Sequence, residues 1–310
     1  MTKSFIELNN TALDKNLFVP AIQKSRPQER IVLSDWQKIL ETLRENKAAL
    51  LCFAILVIII ICSLCASLSP YDPDEMDLLN KMGAPSAIHP FGTDEMGRDE
   101  LTRVLYGGRI SLLVGVLAMS VSVIAGVLVG TISGYCGKKI DAILMRVVDM
   151  FQSVPSLLMI IVIYSLVPPT MVTLIFMLAL FSWTGVARIV RAQTLSIKER
   201  DYVLAAQLLG VSHSKIIFRH IIPNMSSQII VAASLAIAHA ILDESALSFL
   251  GYGVRLPQSS WGSMLQGAQK WILYDPLLAL IPGMFILLTV LCFNILGDAL
   301  QQALDPRLNN

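Results

Sequence analysis

Charge is scarce in this chain. Only 15% of its 310 residues are Asp, Glu, Lys or Arg, against about 25% in an ordinary soluble domain. With 55% hydrophobic residues, that scarcity points to a polytopic membrane protein. A net charge of +1 gives no case for nucleic-acid binding. Histidine is rare too: His89, His213, His220 and His239 are scattered, and only His239 falls within an apolar run. A membrane enzyme would need His, Ser or carboxylates gathered at membrane depth, and no such gathering is visible. His89, Asp94 and Asp99 are too thin a set to define a metal site, so none is expected. No Gly-x-x-x-x-Gly-Lys-Ser/Thr occurs, which excludes nucleotide binding by a P-loop. The cysteines Cys52, Cys62, Cys65, Cys136 and Cys292 lie in or beside apolar segments. Nothing around the Cys-x-x-Cys of Cys62 and Cys65 would lower a thiol pKa, so they read as small residues of a membrane helix. No polar repeat suggests the lining of a passive channel.

What the chain does have is long apolar runs. A spanning helix needs about 20 mostly apolar residues. Residues 48–68, 110–133, 150–167, 170–187, 229–250 and 277–296 meet or approach this, predicting six spans and an all-α membrane fold. The third is extended toward Arg146 as an interfacial turn, and Pro168 and Pro169 separate it from the fourth. Six spans put both termini on one side. Eighteen of the 24 Lys and Arg residues fall in the tails and the loops 134–149 and 188–228, and six on the opposite side. The positive-inside rule therefore puts both termini in the cytoplasm and the 69–109 loop outside. Residues 1–47 form an N-terminal tail. Its first 32 are polar and aperiodic. Residues 34–47 predict an amphipathic helix on the inner membrane face, with a Ser34–Gln37 capping-box spacing and Trp36, Ile39, Leu40 and Leu43 on one side. The core runs over 110–298 and a short tail over 299–310.

Three patterns stand out within that plan. Ala118, Ser122, Gly126, Gly130 and Gly134 recur every four residues along the second span. Small residues at that spacing let another helix approach closely in lipid. Asp243 and Glu244 sit in the fifth span, where acids are costly. Two readings stand: both lie at the wet outer rim, or one lines a translocation path and meets a cationic group. Arg146 and Asp149, three apart, are spaced to pair, and Trp261 and Trp271 fit an aromatic belt.

The third pattern is the most informative. Residues 200–224, RDYVLAAQLLGVSHSKIIFRHIIPN, form a basic stretch of soluble character between apolar segments. They predict two short helices, broken at Gly210 and stopped at Pro223. Asp201 suits the first helix's N-terminus and Ser212 can cap the second. Ala205 and Ala206 are small, so that face can enter a groove. On physical grounds, docking to a soluble partner and resting on anionic lipid are both open.

This segment resembles the EAA loop of ABC-importer permease subunits, with small residues, a fixed Gly and an Ile-Pro ending. Ala205, Ala206, Gly210 and Pro223 match that pattern, while Leu204 stands where an acidic residue is common. Four further stretches are similar to the C-type permease of oligopeptide, dipeptide and nickel importers. They are HPFGTDEMGRDELTRVLYGGRISLLVG (89–115), MRVVDMFQSVP (145–155), ESALSFLGYGVRLPQSSWGSML (244–265) and NILGDALQQALDPRL (294–308). The resemblance implies a type I permease fold with cytoplasmic coupling helices that seat on an ATPase. It implies a non-catalytic membrane subunit paired with a homologous second permease, and two ATP-binding subunits that hold the ATP and Mg this chain does not. An extracytoplasmic binding protein would deliver the substrate. Peptides are the favoured cargo, with nickel or a metal–chelator complex as the alternative. An ion-gradient-driven secondary transporter is the alternative of a different class, disfavoured because spans one to four carry no acid–base relay beyond Arg146 and Asp149 at their edge.

Overall fold

The computed structural model describes residues 35–255 and 257–304. Ser34, the polar stretch before it and the last six residues lie outside the described residues, and so does the expected Ser34 cap. The described chain is helical apart from loops and one isolated β-bridge. Helix α1 (Asp35–Glu45) ends at Asn46, whose side chain accepts from the backbone N–H groups of Ala48 and Ala49 and so caps α2 (Lys47–Leu64). A 3₁₀ turn, Cys65–Leu68, completes this first span.

Helix α3 (Glu100–Cys136) is 37 residues long, about 55 Å at 1.5 Å per residue. It begins ten residues before the expected second span, because Asp99 caps it through Thr102. The outer loop is correspondingly shorter, 69–99. Helices α4 (Lys138–Gln152) and α5 (Ser156–Tyr164) meet at a bend of 78°. The expected third span is thus a bent pair rather than one helix. Pro155 disfavours α geometry in the residue before it and cannot donate to the preceding turn, so the ladder breaks there. Among the described residues five helices are long and apolar enough to cross a membrane, or six if the bent pair counts as one span. Helix α6 (Met171–Lys198) starts from a Thr170–Thr173 capping box and runs eleven residues past the expected end of its span. Helices α7 (Asp201–Leu208) and α8 (His213–Ile216) follow, then α9 (Ser226–Phe249), α10 (Trp261–Ala268) and α11 (Leu277–Leu304).

The tightest seam joins α3 to α6. A Cβ at Gly126 would lie 2.6 Å from the Val186 Cβ and one at Gly134 2.7 Å from that of Thr194, while one at Gly130 would collide with the Ala187 carbonyl oxygen. The small-residue row of α3 therefore brings the two backbones together, and van der Waals contact replaces the hydrophobic drive that lipid lacks. Val114, Ile160, Leu178 and Leu247 fill one core among α3, α5, α6 and α9, and Ile59, Ile241, Trp261 and Ile286 fill another among α2, α9, α10 and α11. Trp261 is fully buried, its indole N–H donating to the Val104 carbonyl at 3.0 Å. It anchors α10 within the bundle and is no part of an aromatic belt.

The 69–99 loop folds onto the start of α3 around one carboxylate. Asp94 accepts from the Arg98 Nε at 2.7 Å and lies 3.5 Å from the Arg103 Nε. Asp99 bonds His89 Nδ1 at 2.9 Å with one oxygen and caps α3 with the other. His89, Asp94 and Asp99 are thereby committed to protein partners. Among the described residues no group of three His, Cys, Asp or Glu is placed to hold a metal.

Candidate functional site

The 200–224 segment projects from the end of the bundle where α6 and α3 finish. Helix α7 turns two residues inward: Val203 is wholly buried and Ala206 nearly so, against Val190, Ile216, Ile221 and Met225. Ala205 is exposed. The two alanines thus do not form one docking face, because adjacent helical positions lie about 100° apart. The outward face is apolar and larger than expected: Leu204 is 44% exposed, Leu208 89% and Leu209 83%. Phe218 is exposed on the next helical segment. Asp201 opens α7 at the surface.

Gly210 ends α7 at φ +74°. Its N–H donates to the Gln207 carbonyl, and the Val211 N–H to that of Ala206. This pair of bonds requires a left-handed residue between them, where only glycine is unstrained. Ser212 stands before α8 but its hydroxyl makes no capping bond. Nor does the second short helix stop at Pro223. A π turn, Ile217–Ile221, and a 3₁₀ turn, Pro223–Met225, carry it into α9, so that 213–249 runs as one span. Proline has no N–H for the Arg219 carbonyl. The wider turn, with the Ile222 N–H donating to the Ile217 carbonyl, absorbs that gap.

Polar bonds brace the helices that carry this projection, and one of them reaches it. The Arg191 guanidinium grips Asp141 with two bonds, at 2.5 and 2.6 Å, and so joins α6 to α4. Arg188 bonds Asp149 at 2.6 Å; Asp149 therefore pairs across helices and not with Arg146. Lys198 Nζ donates to the Tyr135 carbonyl at 2.6 Å, and the Tyr135 hydroxyl meets His213 Nδ1 at 2.9 Å. The start of α8 is thereby held to the ends of α3 and α6. Sequence reasoning missed these pairs because their partners stand 39 to 78 residues apart, and no local spacing signals them.

The acids of α9 separate. Glu244 is fully buried, taking bonds from Ser248 at 2.6 Å and Ser111 at 3.1 Å, with Ser245 at 3.5 Å. A carboxylate enclosed by serines from α3 and α9 is a structural tie, and the path-lining expectation for it is corrected. Asp243 is half-buried, one turn from the exposed His239 on the open side of α9.

Residues 126–310 match the family of binding-protein-dependent transport system inner membrane components, and residues 34–85 match the N-terminal TM domain of oligopeptide transport permease C. The chain is 40% identical over 300 residues to the oligopeptide transport system permease protein OppC of Bacillus subtilis (strain 168), covering 96% of this chain and 98% of that protein. It is 41% identical over 285 residues to the dipeptide transport system permease protein DppC of the same organism, covering 91% and 88%. To the oligopeptide transport system permease protein OppC of Escherichia coli (strain K12) it is 41% identical over 275 residues, covering 88% and 91%.

Proposed function

This chain belongs to the binding-protein-dependent transport system inner membrane component family, and on that premise we propose that it forms half of the path by which an ATP-driven importer carries short peptides across a bacterial cytoplasmic membrane. The observation that carries the reading is the apolar projection at Leu208 and Leu209, held to α3 through the Tyr135–His213 bond and packed on α6 at Val190. An exposed apolar patch on a rigid mount suits a protein partner better than water. The partner would be an ATP-binding subunit, one of two, since the sequence holds no P-loop of its own. A homologous second permease would complete the path, with substrate handed over by an extracytoplasmic binding protein. ATP and Mg would be held by the partner subunits.

In this reading, closure of the ATP-binding subunits moves α7 and α8. The Tyr135–His213 and Lys198–Tyr135 bonds carry that movement into α3 and α6, and the continuous 213–249 helix carries it along α9. ATP drives the change only if it binds the two states unequally. Of the two acids of α9, Asp243, on the open side, is the one left to meet a peptide's ammonium group.

Import of labelled peptide into proteoliposomes holding both permeases, the ATP-binding subunits and the binding protein tests the reading. Uptake should need ATP and survive an uncoupler. Uptake that needs an ion gradient, or nickel uptake without peptide uptake, would refute it. Gly210→Val should leave the chain in the membrane and abolish substrate-stimulated ATP hydrolysis, since a left-handed β-branched residue is strained by roughly 2 kcal/mol. Unchanged stimulation would count against coupling through this turn. Orientation has its own test in intact cells, on a background without native cysteines. A membrane-impermeant thiol reagent should label Leu79→Cys from outside and Lys139→Cys only after permeabilisation. The reverse pattern would invert the topology.

A further inference from the structure

At the opposite end of the bundle a cavity of about 710 Å³ opens between the 94–103 segment and the stretch from Gly251 to Leu278. That volume lies within the range of small-ligand sites, about 300–1,000 Å³. Glu100 lines it and is only 2% exposed. Its neighbouring cations attract it from a distance but make their direct bonds with other groups: Arg98 with Asp94 at 2.7 Å and Glu95 at 3.7 Å, and Arg103 with Asp94 at 3.5 Å, Asp74 at 3.6 Å and the Pro73 carbonyl at 2.9 Å. Among the described residues the Glu100 carboxyl has neither a hydrogen bond nor an ion pair. A buried carboxyl without a partner is costly, and this one faces a space large enough to bring one. Arg255 and Lys270 line the same cavity, are exposed, and have no ion pair among the described residues. The walls between add the Gln266 amide and the apolar Met264.

We infer that this cavity binds the zwitterionic backbone of a short peptide, its ammonium group on Glu100 and its carboxylate on Arg255 and Lys270. An acid and two cations lining one cavity fit a ligand charged at both ends. A metal ion fits less well, because among the described residues no three ligating side chains converge. The inference rests on the peptide reading above and adds a site on the permease itself, separate from Asp243.

The test uses the assembled transporter in nanodiscs, without the binding protein, and labelled trialanine as probe. Trialanine should bind, and N-acetyl-trialanine and trialanine amide should each bind about tenfold more weakly, the order of one lost charge-assisted hydrogen bond. Glu100→Gln should weaken trialanine about tenfold yet leave N-acetyl-trialanine unchanged, a pattern that general destabilisation would not produce. The Arg255→Ala, Lys270→Ala double variant should act in the same way toward the amide. Equal binding of trialanine and its N-acetyl form to the unaltered complex would overturn the inference without any variant. So would absence of trialanine binding alongside normal import in proteoliposomes, which would leave the transport reading standing. Absence of import of every peptide would overturn both. Loss of binding-protein docking in Glu100→Gln, with no peptide bound to the unaltered complex, would assign the cavity to a protein partner instead.

Discussion

Replacing Leu208 and Leu209 together with Asp is expected to lower ATP-driven import by well over tenfold while leaving the chain in the membrane at its usual level. Both side chains stand out from the end of α7, where neither supports the core. The fold loses nothing when they change, so in the proposed reading the whole effect falls on docking to the ATP-binding subunit. A well-buried apolar anchor at an interface is worth about 2 kcal/mol or more, which is roughly thirtyfold in affinity. Asp adds the desolvation of a charge to that loss. Co-purification of the ATP-binding subunit with the permease measures the effect directly. Full import and full co-purification would mean that the patch rests on lipid. Leu208→Cys is also the right position for a crosslinker. Ala206 is unsuitable, since its side chain faces Val190 and Ile216 inside the protein.

Gly130→Val should prevent stable assembly of the α3–α6 pair. Its Cβ would press on the Ala187 carbonyl and lie 2.9 Å from the Val190 Cβ and 3.0 Å from the Arg191 amide nitrogen. Two of these three neighbours are backbone atoms, which cannot rotate away. Overpacking a filled core costs typically about 1–3 kcal/mol, and a backbone clash belongs at or above the top of that range. The expected result is a large drop in membrane level and a lower Tm in detergent. Gly185→Ala supplies the control: among the described residues no neighbour outside its own helical backbone lies within 4 Å of its added Cβ, and Ala favours the helix by about 1 kcal/mol. A Gly130→Val chain with the usual level and Tm would remove the seam from the account of the fold.

The readable parts of the fold share one property: their signal is local. Apolar runs gave the spans, a four-residue period in α3 gave its packing row, and Gly210 gave the end of α7. Where the reading erred, the deciding partner was distant or the local pattern was mixed. Residues 100–109 combine charges with two glycines, and only the Asp99 cap and the folded loop make them helical. Helix α7 is apolar on both sides, so its composition could not say that Val203 faces in and Leu208 out. Trp261 is aromatic enough for an interface, and only the Val104 carbonyl and Ser111 explain its burial. Glu244 had no local clue to its serine on α3, 133 residues earlier in the chain. The cavity beside Glu100 was likewise invisible, since its two walls lie about 150 residues apart in sequence.

The π turn before Pro223 has a mechanical consequence. A π turn carries one residue more than the α ladder it interrupts, and each residue of an α-helix advances by about 100°. If Ile217–Ile221 wound into α geometry, α8 would swing by about 100° about the axis of α9 without any change in the long helix beyond. In the proposed coupling, the 213–249 segment would be a shaft with a joint near the end that meets the ATP-binding subunit. A push along it would pass through to the other face of the membrane, whereas a twist would be taken up at the joint.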